Sequence, residues 1–163
     1  MRFVVEPLAR QDRTSFESGV EPLDRYFQRQ VGQDLRRRVS ACFVAVEQAA
    51  GVIAGYYMLA AAEIPLSELG PDIVRRLPRY PTVPAARLGR LAVDRRFRGE
   101  KLGAALLADA VKRASRTDIA VYAMIVDAKD DTAAAFYRHH GFMAYGSAPN
   151  KLVAPLASLI AQG

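Results

Sequence analysis

Residues 98–103, which are rich in glycine and charged side chains, predict a short loop between two apolar runs. The loop reads Arg98-Gly99-Glu100-Lys101-Leu102-Gly103; Leu91-Ala92-Val93 lie shortly before it and the run from Ala104 to Leu107 follows it. A strand that passes through such a loop directly into a helix leaves unpaired N–H groups at the positive end of the helix dipole, where phosphate groups bind. The stretch from Arg98 to Ala104 is therefore a candidate pyrophosphate site, although an ordinary strand–turn–helix connection with a solvated loop has the same composition.

Tyr137 is a second candidate for chemistry, because a phenol of reference pKa about 10 can donate a proton to a leaving group. It lies on a predicted helix that begins at Asp130–Thr132 and ends near His140. By spacing, Tyr137 shares a face of that helix with Ala133 and Phe136. A purely structural role as a core aromatic residue is therefore the alternative.

Arginine supplies 19 of the 23 cationic side chains and gives the chain a strongly basic character, with a net charge of +6. Between Ile73 and Arg98 the only acidic residue is Asp94. A planar guanidinium binds phosphate through two parallel hydrogen bonds, so an arginine-rich surface favours a polyanion such as nucleic acid. A solvated basic face and a site for an acidic partner protein are the alternatives. The candidate nucleic-acid-binding residues are Arg36, Arg37, Arg38, Arg75, Arg76, Arg79, Arg87 and Arg90.

The composition predicts one domain that spans residues 1–163 and lies in the cytosol. With 51% hydrophobic residues, the chain can bury a single sizeable core. No apolar run approaches the roughly 18 residues of a membrane span, and the charged N-terminus lacks the apolar stretch of a signal peptide. The single cysteine, Cys42, lies in an apolar run and predicts a buried structural thiol, and the two adjacent histidines indicate no metal site.

Hydrophobic patterning predicts the elements that position these residues. Apolar residues from Leu23 to Leu35 recur at three- and four-residue steps and predict one long amphipathic helix. The other predicted elements are a hairpin of Cys42–Glu47 and Val52–Leu59, a proline-rich segment 65–84 with at most a short helix at 72–77, a strand Arg87–Val93 with a bulge at Gly89, a helix 102–114, a strand Ile119–Val126, the helix that carries Tyr137 and stops at Gly141, and one or two strands from Phe142 onward. This order indicates an α/β (α+β) protein with a mixed sheet and helices packed on its faces.

The loop resembles the pattern Arg/Gln-x-x-Gly-x-Gly/Ala, which is the acetyl-coenzyme A loop of the GCN5-related N-acetyltransferases (GNAT). In this register Arg98 opens the motif, Lys101 stands at its first glycine, and Gly103 is its last residue. The Lys101 departure is compatible with the resemblance, because a lysine still supplies its backbone N–H and an ammonium is tolerated near a pyrophosphate.

The segment 127–142 is similar to the closing motif of the same superfamily. A polar residue, here Asp130 where asparagine is usual, lies seven positions before Tyr137, and Gly141-Phe142 follow it. The two resemblances together imply a single GNAT-like domain with a central mixed, mostly antiparallel sheet and helices on both faces. They also imply acetyl-coenzyme A as co-substrate and no metal.

A narrower resemblance, which covers nearly the whole chain, is to the GNAT toxins of type II toxin–antitoxin modules. The segments that carry it are Leu23-Asp24-Arg25-Tyr26-Phe27, Leu88-Gly89-Arg90-Leu91-Ala92-Val93-Asp94, Ala128-Lys129-Asp130 and Phe136-Tyr137. This resemblance implies acetylation of the α-amine of aminoacyl-tRNA, a ribbon-helix-helix antitoxin as partner, and a homodimer. The alternatives are acetylation of a small-molecule amine or a protein N-terminus, and a non-catalytic regulator that binds an acyl-coenzyme A.

The resemblance further implies a role for each candidate residue. Tyr137 is the expected acid for the coenzyme A thiolate, and a strong base is optional because an α-amine titrates near pH 8. Main-chain groups of Leu91, Ala92 and Val93 are expected on the pantetheine arm, and the residues expected on the pyrophosphate are Arg98, Gly99, Glu100, Lys101, Leu102, Gly103 and Ala104. Asp130 is expected either to contact the coenzyme or to cap its helix.

Overall fold

The computed structural model describes residues 2–162 of the chain. Strands and helices alternate along much of this range. In chain order the elements are β1 Phe3–Pro7, α1 Glu21–Arg29, α2 Val31–Arg36, β2 Ala41–Glu47, β3 Val52–Pro65, α3 Pro71–Val74, β4 Thr82–Val93, α4 Leu102–Arg116, β5 Ala123–Asp127, α5 Asp131–His139, β6 Met143–Ala144, β7 Lys151–Pro155 and α6 Leu156–Ala161. Two short 3₁₀ segments, Leu66–Glu68 and Arg95–Phe97, follow β3 and β4.

The strands form a seven-stranded sheet in the order β1-β2-β3-β4-β5-β7-β6. The pairs β1/β2, β2/β3, β5/β7 and β6/β7 are antiparallel, and β4/β5 is parallel. The predicted fold class, a mixed and mostly antiparallel sheet combined with helices, is confirmed.

The chain forms two compact units, each with its own apolar cluster. The first unit comprises the described residues up to Ala60 together with Gly89–Ala110, and Phe27 of α1 stacks on Tyr56 of β3 with ring centroids 4.2 Å apart. Cys42 belongs to this core, as predicted, and burial raises the pKa of its thiol to about 12. The second unit comprises Ala61–Leu88 and the described residues from Val111 onward.

Several predicted elements are confirmed with small changes in their bounds. The hairpin pairs Ala41 with Leu59, and its second strand continues to Pro65. The helices after the loop and around Tyr137 are α4 and α5. The final strands are β6 and β7.

The prediction of one helix from Leu23 to Leu35 is wrong, because the chain breaks at Gln30 into α1 and α2. The break brings the Tyr26 hydroxyl to 2.5 Å from Oδ2 of Asp34. In a straight helix residues eight positions apart are about 12 Å apart along the axis, too far for this hydrogen bond.

The strand predicted from Ile119 also starts too early. Its first residue is Ala123, and the Ile119 side chain is 75% exposed. Strand β1 and helix α6 had no predicted counterpart, and the bulge at Gly89 stays a prediction.

Candidate functional site

The segment between β4 and α4 is anchored by Asp94, whose side chain is only 2% exposed. Its Oδ1 accepts hydrogen bonds from the backbone N–H and Nε of Arg96, both at 2.9 Å, and its Oδ2 accepts from Nη2 of Arg96 and from the backbone N–H of Glu17, both at 3.0 Å. Burial by itself favours the neutral carboxyl, but these hydrogen bonds outweigh it and hold the pKa of Asp94 below its usual value. Asp94 therefore fixes the conformation in which the chain enters the loop.

A segment at Glu17 and Ser18, distant in sequence, is hydrogen-bonded to the same loop. The backbone N–H of Arg95 donates to the carbonyl of Glu17 at 2.9 Å, and Nη2 of Arg98 donates to the carbonyl of Ser18 at 2.5 Å. At its other side, Asp24 of α1 accepts hydrogen bonds from the N–H and hydroxyl of Ser18 at 2.9 and 2.6 Å. Sequence reasoning missed this support, although Asp24 lies in one of the segments that carried the resemblance.

The loop has the backbone features of an anion site. Helix α4 begins at Leu102, so the N–H groups of its first turn lack helical partners and point out of the helix end. Gly99 and Lys101 both adopt left-handed backbone angles, with φ of +78° and +60°. Lys101 thus holds the conformation that a glycine adopts without strain, at the position where the resembling motif has glycine.

The charged side chains of the loop differ in their partners. Glu100 forms an ion pair with Arg2, and Arg98 is engaged with the Ser18 carbonyl. The Lys101 ammonium has no hydrogen-bond or ion-pair partner within residues 2–162. Lys101 therefore contributes an uncompensated positive charge at the positive end of α4.

The end of β4 supplies the three residues predicted to contact the pantetheine arm. Ala92 is buried, whereas Leu91 and Val93 are half-buried. The carbonyl oxygen of Ala92 lies so close to Gly55 of β3 that a Cβ there would be 3.0 Å from it. The role of these main-chain groups toward the coenzyme stays a prediction.

Tyr137 lies on α5 in the second unit and is 6% exposed. Its ring contacts Phe136 and Phe142 edge to face, with centroids 5.1 and 5.6 Å away. Within the described chain no group hydrogen-bonds to its hydroxyl, and burial raises the pKa of this phenol to about 12. Tyr137 therefore holds its proton at neutral pH and can donate it to a bound molecule.

Asp130 caps the helix that carries Tyr137. Its Oδ1 accepts a hydrogen bond from the N–H of Ala133 at 2.8 Å, and its Oδ2 accepts one from Nζ of Lys129 at 3.0 Å. The backbone hydrogen bond, followed by the lysine, lowers the pKa of this exposed carboxyl. The capping role is observed, and a contact with the coenzyme stays a prediction.

The candidate arginines lie in both units. In the first, Arg36, Arg37 and Arg38 are exposed at the end of α2, and Arg90 is half-buried with its Cζ 3.5 Å from the centroid of the Tyr26 ring. In the second, the exposed candidates are Arg75, which pairs with Asp72, and also Arg76, Arg79 and Arg87. Arg90 thus differs from the other candidates in being held against an aromatic ring.

Residues 2–162 include neither a membrane-spanning helix nor a cluster of metal-ligating side chains. No helix in this range has both the length and the apolar composition that crossing a bilayer requires. The same range contains no cluster of three or more His, Cys, Asp or Glu side chains that could hold a metal ion.

Known proteins similar to this chain include toxins. The chain is 36% identical over 133 residues to the tRNA-acetylating toxin of Mycobacterium tuberculosis, across 80% of this chain and 78% of that protein. It is 26% identical over 167 residues to the probable toxin TacT of Sinorhizobium fredii, across 96% of this chain and 92% of that protein.

Solved structures share the fold over the whole chain. A KacT variant superposes with a TM-score of 0.90 at 23% identity and covers 100% of both chains. AtaT in complex with acetyl-methionyl-tRNAfMet superposes with a TM-score of 0.89 at 24% identity and covers 98% of both chains.

The acetyltransferase (GNAT) domain family matches residues 17–151. The match begins at Glu17, which contacts Asp94, and it includes both the loop at the start of α4 and Tyr137. The chain belongs to the GNAT acetyltransferase family.

Proposed function

We propose that this protein is a toxin of the GNAT family that transfers an acetyl group from acetyl-coenzyme A to the α-amine of aminoacyl-tRNA and so blocks translation. The observation that carries this proposal is the 36% identity, over 80% of the chain, with a tRNA-acetylating toxin. The probable toxin TacT is a second relative and is similar over 96% of this chain. One acetyltransferase domain spans residues 1–163 in this proposal.

The described residues around the loop fit the phosphates of a coenzyme. Unpaired N–H groups of Leu102, Gly103 and Ala104 lie at the positive end of a 15-residue helix, and Gly99 has open space on the side where a Cβ would lie. In the proposal these groups bind the pyrophosphate together with the side chains of Arg98 and Lys101 and the backbone N–H of Glu100, whose carboxylate pairs with Arg2. The main chain of Leu91, Ala92 and Val93 pairs with the pantetheine arm.

Tyr137 is the proposed general acid. Acetyl-coenzyme A supplies an acetyl group activated as a thioester, and its reaction with an amine requires a proton for the departing sulfur. The Tyr137 hydroxyl is available for this transfer because no described protein group hydrogen-bonds to it and because burial keeps it protonated. The attacking α-amine needs little activation, since its ordinary pKa is about 8.

The arginines supply the charge for tRNA and for a protein partner. Guanidinium groups bind the phosphate backbone, so tRNA binding is expected to weaken steeply as salt rises. We propose a ribbon-helix-helix antitoxin as the partner that neutralises the toxin. A homodimer is part of the same proposal.

The test is whether the purified protein transfers the labelled acetyl group of acetyl-coenzyme A to a total pool of aminoacylated tRNA, with release of coenzyme A. We expect label on charged tRNA and no label on deacylated tRNA. We also expect the Tyr137→Phe variant to lose transfer. Tyr80→Phe is a matched control, because the Tyr80 side chain is 65% exposed and has no proposed role. Coenzyme binding without transfer to charged tRNA would overturn the tRNA proposal and direct the search to small amines and protein N-termini.

A further inference from the structure

Arg90 lies over an aromatic ring and has no anionic partner among the residues that the structure describes. Its guanidinium carbon lies 3.5 Å from the centroid of the Tyr26 ring, and within residues 2–162 no carboxylate or carbonyl accepts a hydrogen bond from it. Other arginines of the chain do pair with carboxylates, namely Arg2, Arg25, Arg75, Arg95 and Arg96. Arg90 therefore has ordered N–H donors that the described protein does not use.

Tyr26 is itself fixed by Asp34. The Tyr26 side chain is 4% exposed and its hydroxyl donates a hydrogen bond to Oδ2 of Asp34 at 2.5 Å, which the break at Gln30 makes possible. A phenol that donates to a carboxylate carries more electron density in its ring, and this strengthens the attraction of a cation lying over it. Asp34, Tyr26 and Arg90 form a connected set from α2 through α1 to β4, all within the first unit.

Such a set presents a rigid guanidinium. Stacking against a ring leaves the in-plane N–H groups of an arginine free, and these groups match the two oxygens of a phosphate. Within residues 2–162 no side-chain nitrogen or oxygen atom is buried without a hydrogen-bond partner, so the unpaired guanidinium nitrogens of Arg90 are accessible. The guanidinium is only half-buried, so an anion reaches it without crossing the core.

The position of Arg90 relates it to the reaction. It directly precedes Leu91, the first of the three β4 residues proposed to contact the pantetheine arm. The acceptor amine must approach the thioester at the end of that arm. In aminoacyl-tRNA the anionic groups that accompany the amine are the phosphodiesters of the acceptor end.

We propose that Arg90 is a specificity-determining residue that binds a phosphodiester at the 3′ end of the aminoacylated acceptor, with Tyr26 and Asp34 as its positioning residues. This inference rests on the proposed function. It assigns to Arg90 a single localised contact, in contrast to the diffuse charge of Arg36, Arg37 and Arg38.

The experiment compares two acceptors. One is the aminoacyl-tRNA that the wild type acetylates fastest, and the other is 3′-deoxy-3′-aminoacylamino-adenosine with the same amino acid, which has the amine and the nucleoside but no phosphate. Arg90→Gln is expected to raise KM for the tRNA about tenfold with kcat within threefold, and to leave kcat/KM for the adenosine derivative unchanged. It is also expected to reduce the slope of log KM against log salt by about 1, the contribution of one phosphate.

The positioning residues are tested by partial rescue. Arg90→Lys keeps the charge and should recover part of the affinity, whereas Tyr26→Phe and Asp34→Asn should each raise KM for tRNA threefold or more and leave the adenosine derivative unaffected. Combining Tyr26→Phe with Arg90→Gln should add little to Arg90→Gln alone, because both act on one contact. Arg116→Gln, an exposed arginine at the end of α4, is the matched control.

The outcomes separate the two levels of the proposal. A wild type that acetylates neither acceptor would overturn the proposed function itself. The role of Arg90 would be overturned if the wild type acetylates tRNA and Arg90→Gln loses the same factor of kcat/KM on both acceptors. It would also be overturned if Arg90→Gln loses no activity on either acceptor. Thermal unfolding of each variant identifies any that fail to fold, and in that event Arg90→Lys and Asp34→Asn carry the comparison.

Discussion

The backbone N–H of Glu17 donates a hydrogen bond to Oδ2 of Asp94 at 3.0 Å, so a carboxylate at the end of β4 holds a segment 77 residues earlier in the chain. The same carboxylate accepts from Arg96, and it is almost completely buried. The buried carboxylate of Asp94 therefore fixes the start of the loop that follows β4.

Asp94→Asn is expected to lower the free energy of unfolding by roughly 2 kcal/mol at pH 7, because hydrogen bonds to a charged acceptor are each stronger than those to an amide. The pKa of Asp94 is below its usual 3.8 in the folded state. Its stabilisation is therefore present above that pH and is lost as the pH falls through the lower, folded-state pKa. Urea unfolding of both proteins from pH 7 down to pH 3 measures this, and a difference that stays constant over the range would contradict it.

Tyr137→Phe is expected to reduce kcat by about 10²- to 10⁴-fold without loss of acetyl-coenzyme A binding. Because burial raises the pKa of Tyr137 to about 12, the acid stays protonated across the working range, and the wild-type rate should rise with deprotonation of the amine and show no decline up to about pH 10. Stopped assays of kcat from pH 6 to pH 10 test both statements. A decline with an apparent pKa near 8 would exclude Tyr137 as the acid.

Substitutions of Lys101 separate backbone strain from charge. At φ of +60° a residue with a Cβ costs about 1 kcal/mol more than glycine, so Lys101→Gly should be more stable than Lys101→Ala by about that amount. Both variants lose the ammonium, and both should bind acetyl-coenzyme A about threefold more weakly than the wild type. Calorimetry of coenzyme binding and urea unfolding give the two numbers, and equal stability of the two variants would contradict the strain.

Gly55→Ala is expected to destabilise the first unit by about 1–3 kcal/mol, the usual cost of an inserted methyl group in a packed interior. The added Cβ would lie 2.8 Å from Cδ1 of Leu106 and 3.0 Å from the carbonyl oxygen of Ala92. Because that oxygen is main chain in β4, acetyl-coenzyme A binding should weaken as well. Gly70→Ala is the control, since no atom lies within 4 Å of its added Cβ, and similar losses in both variants would argue against the steric explanation.

The elements with local signals could be predicted from the sequence. The hairpin is marked by apolar strands on either side of Gly51, whose φ is +68°, and α5 is marked by its cap Asp130 and by Gly141 after its end, whose φ is +102°. Tyr137 and the loop residues are candidates because their segments resemble motifs of the family, and their roles stay predictions. The surroundings of these residues depend on tertiary packing, which the spacing of residues in the sequence does not determine. An example is the Tyr137 hydroxyl, which has no hydrogen-bond partner among the described residues.

The features that sequence reasoning missed are tertiary. The break at Gln30 accompanies a hydrogen bond between Tyr26 and Asp34; no proline lies there, and Gly32, two residues later, is itself helical and does not indicate a break. Strand β1 forms by pairing with β2, so its short sequence carries little signal alone. The apolar run from Ile119 is longer than strand β5, because Ile119 is apolar but exposed and lies outside the strand.

The hydrogen bond from Arg98 to the Ser18 carbonyl couples the order of the loop to the order of the segment that leads into α1. A coenzyme phosphate that orders Arg98 also orders Ser18, and through Asp24 it restrains the first turn of the helix that carries Tyr26. By thermodynamic reciprocity, an acceptor whose phosphodiester binds Arg90, as we propose, would then tighten coenzyme binding by the same factor by which the coenzyme tightens acceptor binding. Slowed amide hydrogen exchange at Ser18 and Gly19 when coenzyme is added would report this coupling between the two substrates.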